Sequence, residues 1–198
     1  VILGGGDGTI SSAASVAFRR DKPLGILPAG TMNLFARALE MPLNLEAALE
    51  AIARGSVDRI DIATANGRPF VHQFSAGLHA RMVRYRDKME YASRLGKIRA
   101  NIRAAIGVVF NPPKFDMEFT VDGKTQHRRA CAISASNNEF GQSPLLVADD
   151  ITQGKLGLYI AEALTPSGVM GLAVDILRGK LKENAAVTAM AVTNADLH

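Results

Sequence analysis

The rhythm of apolar and polar positions changes once along this chain, near Val57, and the two rhythms predict two kinds of architecture. Before that point the apolar runs are short and unbroken, and each ends in glycine or proline. Residues 1–3 (VIL) lead straight into GGGDGT, and residues 23–27 (PLGIL) lead into PAGT. Unbroken apolar runs of this length suit strands buried on both faces, as in a parallel sheet. Each is followed by a stretch of helical length. Residues 9–20 place Ala13, Ala14, Ala17 and Phe18 at helical spacing, and residues 33–39 form a second such stretch. A third follows Pro42, where Asn44 is placed to cap a helix with Leu45, Ala48, Leu49 and Ile52 on one face and Gly55 at its close. Strand, turn and helix in repetition predict an α/β domain over residues 1–57.

Beyond Val57 the period shortens to two. Residues 58–64 (DRIDIAT) alternate, residues 70–75 are strand-like, and residues 115–121 (FDMEFTV) alternate up to Asp122-Gly123, a tight-hairpin dipeptide. Residues 124–130 make the return strand, and residues 130–136, 154–162 and 186–194 continue the series. Helical stretches over residues 80–106, broken at Gly96, and 166–177 are interposed. The expected fold class is thus α/β plus all-β, with a mainly antiparallel β domain over residues 58–198.

Composition adds limits. With 47% hydrophobic residues in 198, the chain can fill a real core. The one cysteine, Cys131, can form no internal disulfide, which fits a reducing, cytoplasmic compartment. No run reaches the roughly 18 apolar residues that span a bilayer, so lipid would be met at a membrane surface. The net charge of +4 is concentrated: residues 81–103 hold eight Lys and Arg against Asp87 and Glu90. On a helix Arg81, Arg84 and Lys88 share a face, which is either solvated or a docking surface for anionic phospholipid. No base-reading motif accompanies the basic segment, so nucleic acid is not an expected partner.

The opening turn is the candidate site. Glycines between a buried strand and a helix let backbone N–H groups converge on an anion, and the helix start adds partial positive charge. Phosphate is the natural guest, although GGGDGT matches neither GxxxxGK[ST] nor GxGxxG. Asp7 either caps the turn or serves metal or proton chemistry beside the phosphate. PAGTMN, residues 28–33, repeats the arrangement: Gly30 permits close approach, Thr31 offers a hydroxyl, and Asn33 offers a donor and an acceptor. Two such turns side by side at the carboxyl edge of one sheet predict a nucleotide site.

GGGDGTI followed by LGILPAGTMNLFARAL resembles the diacylglycerol kinase catalytic domain family, which includes bacterial lipid kinases, sphingosine kinases and ceramide kinase. FSAGLHARMV, SASNNEFGQSPLLVADD and QGKLGLYIAEAL resemble later segments of that family more weakly. The resemblance implies an α/β nucleotide domain and a β-sandwich lipid domain, ATP and Mg2+ as cofactors, and a lipid hydroxyl as acceptor. It implies that Gly5, Gly6, Gly8 and Thr9 cradle the ATP phosphates and that Gly30, Thr31 and Asn33 hold the nucleotide from the second turn. Asp7 would be the catalytic carboxylate, orienting Mg2+ or taking the proton of the lipid hydroxyl. A structural Mg2+ site would fall on Asp150, Gln153 and Lys155, with Gln153 where the family has Asp.

Two other family acidic positions are Leu34 and His79 here. Family members carry a strand and turn before GGDGT and a D-G-E motif after the last strand, so the resemblance implies a fragment of a longer kinase, lacking both ends. The basic segment 81–103 makes peripheral contact with the inner membrane surface an expectation, with a homodimer as the assembly to test. An NAD kinase, which shares GGDGT, and a non-catalytic lipid or nucleotide sensor are the alternatives.

Overall fold

The computed structural model of the protein describes residues 1–78, 107, 109–143, 145–162 and 164–198. The helical stretch expected over residues 80–106, the basic segment 81–103 and His79 lie outside these residues. The chain packs as two compact units, Val1–Phe74 with Ser136–Gly157, and Ser75–Ala135 with Leu158–His198.

In the first unit, strands β1 (Ile2–Gly5) and β2 (Gly25–Pro28) pair in parallel, Ile2 opposite Gly25 and Gly5 opposite Pro28. Helices α1 (Asp7–Arg19), α2 (Leu34–Ala38) and α3 (Leu45–Arg54) follow in the expected order. Ile10, Ala14, Ile26, Phe35, Ala36 and Val71 form the core. Phe18 is not part of it: one position round from Ala17, it faces solvent. Asn44 caps α3 as its sequence predicts, its Oδ1 accepting from Glu46 N at 2.9 Å and Ala47 N at 3.2 Å. Only Ala48 of α3 is fully buried, and Leu45 and Leu49 stay half exposed. The helix lies on β2 through Ile52, whose Cγ2 is 3.2 Å from where a side chain at Gly25 would begin. Gly55 ends it in extended geometry, φ −78°, with no left-handed cap.

The alternating run at residues 58–64 becomes a strand only at Ala63. Asp61 N donates to Ile151 O at 2.9 Å, so this part of the backbone is held by a loop rather than by a ladder. Strand β3 (Ala63–Ala65) then pairs with β4 (Arg68–Phe70) across Asn66-Gly67, both with positive φ.

Strands β5 (Gln73–Gly77), β6 (Phe115–Val121), β7 (Lys124–Ser136), β8 (Leu156–Glu162), β9 (Val187–Val192) and β10 (Asp196–Leu197) form a six-stranded sheet in the order β10-β6-β7-β8-β9, with β5 also on β7. The strands expected at residues 124–130 and 130–136 are one continuous strand. Its first half pairs with β6, and Gly77 of β5 lies against Cys131 and Ala132 in the second. Gly77, at φ +83°, could carry no Cβ, which would fall 2.3 Å from Cys131 O. The β6–β7 hairpin turns at Asp122 and Gly123, φ 50° and 72°, as a primed turn requires. Its two faces separate cleanly. Met117 and Phe119 are buried, whereas Glu118 meets His127 at 3.3 Å and Thr120 meets Thr125 at 2.8 Å on the other face. Helix α4 (Pro166–Leu177) begins at a Thr165 cap and packs Val169 and Leu172 against Cys131, Ala161 and Leu164.

Candidate functional site

The two glycine turns leave neighbouring parallel strands, so they come off the same edge of the β1–β2 pair. Ala29 N donates to Gly5 O at 3.1 Å, carrying the pairing one step past the strands. Beyond that step the backbones nearly touch. A Cβ on Gly30 would lie 2.4 Å from Gly6 Cα and 2.8 Å from Asn33 Oδ1, so this position admits no side chain. The close approach expected of Gly30 is therefore an approach to the other turn.

The second turn is closed by its own residues. Asn33 is 9% exposed and left-handed, φ 52°. Its Oδ1 accepts from Gly30 N at 2.8 Å and its Nδ2 donates to Gly30 O at 3.0 Å. Arg37 Nε donates to Met32 O at 2.9 Å and closes the turn from the helix side. Asn33 thus spends its amide on shaping the turn, while Thr31 is exposed and makes no hydrogen bond among the described residues.

Asp7 joins the two turns. It is the first residue of α1, yet its Oδ1 accepts from Leu34 N at 2.6 Å and Phe35 N at 3.3 Å, at the start of α2. The carboxylate therefore caps a helix that begins 27 residues later. A charged acceptor on two amides at a helix start is a strong pairing. Among the described residues Oδ2 accepts no hydrogen bond, and the side chain remains part exposed.

Helix α1 itself starts without a side-chain cap. Its first turn-closing bond runs from Ile10 N to Gly6 O at 3.0 Å, so the amides of Asp7, Gly8 and Thr9 precede any helical acceptor. Gly8 opens on empty space: a Cβ there would meet nothing within 4 Å. Thr9 is exposed. Three amides without a helical acceptor, the positive end of the helix and open space in front of Gly8 make an arrangement whose charge and shape suit an anion. The structure therefore brings together Gly5, Gly6, Asp7, Gly8, Thr9, Gly30, Thr31 and Asn33.

A second polar cluster in the same unit was not visible in the sequence. Asp61 Oδ2 accepts from Asn138 Nδ2 at 2.8 Å and from Gly154 N at 2.6 Å, and Asp61 O accepts from Asn137 Nδ2 at 2.9 Å. Asn137 and Asn138 are buried, and Asn137 N donates to His72 O at 2.9 Å. Paired asparagines in a strand-end sequence were the available signal. Asp61 itself reads as one polar position of an alternating run.

The cluster fixes the loop that carries Asp150, Gln153 and Lys155. Asp150 Oδ1 accepts from Thr152 N and Thr152 Oγ1, both at 2.8 Å, and these bonds, with one from Gln153, hold its carboxyl below the ordinary aspartate value. Mg2+ calls for oxygen ligands in octahedral array with carboxylate charge. One carboxylate already engaged by Thr152, a neutral amide at Gln153 and exposed loop backbone do not supply it. No group of three or more His, Cys, Asp or Glu side chains gathers among the described residues. These residues do not fit a structural Mg2+ site.

Comparison with known proteins bears on the same residues. Residues 1–65 match the family model of the diacylglycerol kinase catalytic domain. An uncharacterized protein of Synechocystis sp. is 30% identical over 189 residues, covering 93% of this chain and 43% of that protein. A diacylglycerol kinase of Staphylococcus saprophyticus is 36% identical over 98 residues, 48% of this chain and 32% of that protein. The chain thus spans less than half the length of these two relatives. A crystal structure of a diacylglycerol kinase from Bacillus anthracis superposes on the whole chain with a TM-score of 0.69 at 20% identity, covering 64% of that chain, and shares the fold.

Proposed function

We propose that this chain, whose residues 1–65 match the family model of the diacylglycerol kinase catalytic domain, is part of an ATP-dependent lipid kinase, which transfers the γ-phosphate of ATP to a hydroxyl of diacylglycerol or a related lipid. The observation that carries the reading is the uncapped start of α1, held beside a second turn by Asp7. The ATP phosphates rest on the amides of Asp7, Gly8 and Thr9, where backbone donors and the helix start offset their charge. Gly6 and Gly30 let the two turns pack against each other, Gly5 leaves room for the Thr9 side chain, and Thr9 and Thr31 are exposed beside the amides. Asn33 acts through the shape of its turn.

In the transfer, the lipid hydroxyl oxygen bonds to the γ-phosphorus as the bridging oxygen leaves on ADP with the bonding pair. The hydroxyl proton must leave the acceptor oxygen. Asp7 is fixed by Leu34 N and Phe35 N through Oδ1, so Oδ2 is the oxygen that would take this proton or hold Mg2+ carried on the phosphates. Mg2+ supplies charge neutralisation at the phosphates when bound.

The test is transfer from γ-labelled ATP by the full-length protein that contains this chain to vesicles carrying diacylglycerol, a sphingoid base or ceramide, with NAD as a control acceptor. Label on a lipid is expected, with a loss on the order of 100-fold or more in Asp7→Asn. Label on NAD would replace the reading with an NAD kinase. No label on any acceptor, together with no thermal protection by ATP, would overturn it.

A further inference from the structure

Helix α4 is apolar on both of its long faces. Val169 and Leu172 point into the core, while Met170, Val174 and Leu177 point outward with 52%, 38% and 71% of their surface exposed. The outward three fall at i, i+4 and i+7, one stripe on one side of the helix. In the twelve residues of α4 the one charged side chain, Asp175, is turned aside to accept from Asn184 Nδ2 at 2.6 Å. A surface helix ordinarily shows solvent a polar face. This one shows an apolar stripe roughly 10 Å long.

The stripe has neighbours at both ends. Before α4 lies a cavity of about 430 Å³ lined in part by Phe110, Pro112, Lys114 and Pro166, with Phe110 itself 72% exposed. After α4 come Arg178, Lys180 and Lys182, all exposed, and Lys180 Nζ pairs with Glu183 at 2.8 Å. Cations therefore bracket the apolar surface, with Lys114 at one end and the basic group at the other. Among the described residues no helix is long and apolar enough to cross a membrane. An apolar stripe that ends in cations fits a surface that is itself apolar below and anionic above.

We propose that α4 docks on an anionic phospholipid bilayer, with Met170, Val174 and Leu177 in the boundary between headgroups and acyl chains and Arg178, Lys180 and Lys182 against the lipid phosphates. The proposal stands apart from the kinase reading, because vesicle binding is measured without ATP and holds or fails whatever the chain phosphorylates.

The experiment is sedimentation of the full chain with phosphatidylcholine vesicles, with and without phosphatidylglycerol. Binding to the anionic vesicles is expected, reduced about tenfold or more by Leu177→Asp and roughly fivefold each by Arg178→Glu and Lys182→Glu. As a second readout that survives any folding defect in those variants, Leu177→Cys carries an environment-sensitive fluorophore while the native Cys131 is buried and unlabelled. Its emission is expected to shift to the blue with anionic vesicles. Absence of vesicle binding, or Leu177→Asp binding like the unaltered chain, would overturn the proposal. So would a blue shift without vesicles that grows with protein concentration, which would mean that a second copy of the chain covers the stripe.

Discussion

The starts of α1 and α2 have the same local plan and opposite electrostatic states. Each follows a parallel strand and a glycine turn, yet the amides that open α2 are met by the Asp7 carboxylate and those that open α1 are met by no side chain. One carboxylate, placed at the start of the first helix, thus closes the second. The protein completes the turn that must hold its shape and leaves donors on the turn that would receive the ligand. Helices α3 and α4, capped by Asn44 and Thr165, show the ordinary solution and make the open start of α1 the exception among these four helices.

The contrast is most severely tested at the glycines. Gly30→Ala would drive a methyl group to 2.4 Å from Gly6 Cα and is expected to destabilise the chain by about 3 kcal/mol in denaturant unfolding. Gly8→Ala meets nothing within 4 Å, and alanine favours a helix, so it is expected to stabilise by about 0.5 kcal/mol while weakening ATP binding through the methyl in the cradle. A Gly8→Ala chain that binds ATP as well as the unaltered one would place the phosphates elsewhere.

Asp7 is expected to separate capping from chemistry. Asp7→Ala loses both hydrogen bonds to α2 and is expected to cost about 1–2 kcal/mol, whereas Asp7→Asn keeps an acceptor and costs under about 0.5 kcal/mol. Equal unfolding midpoints for the two variants would show that the cap contributes nothing. The smallest effect is expected away from the turns, at Asp150. Its carboxyl is held low by Thr152 and Gln153, so its share of stability is present above the ordinary carboxylate range and is lost as pH falls through the lowered value. Thr152→Ala is expected to move the Asp150 titration upward, read by NMR; an unmoved titration would show that the Thr152 hydroxyl has no hold on the carboxylate.

Much of this fold was legible where one segment carries its own signal. GGGDGT and PAGTMN marked two strand-to-helix turns, Asn44 marked a helix start, and Asp122-Gly123 marked a hairpin, because turn and cap geometry depends on a few adjacent residues. Asn66-Gly67 carries the same signal, in the turn between β3 and β4. Alternation at residues 58–62 marks no ladder, because period two describes a half-buried extended chain, with or without a partner strand. At α3 the helical period was right and the burial was not, since periodicity names a face and says nothing of what covers it.

The candidate site divides the same way. The sequence by itself determined that two glycine-rich strand-to-helix turns exist and that Asp7 sits in the first, since glycine content and spacing are local facts. It left open whether Asp7 capped the turn or served chemistry. Tertiary structure decided that its Oδ1 caps the other helix, 27 residues away, and that Asp61 ties down the loop of Asp150. Those bonds join residues that only the parallel pairing of β1 with β2 and the packing of distant loops bring within 3 Å or so. No local pattern encodes which donor a carboxylate will meet, because that depends on where the rest of the chain has folded.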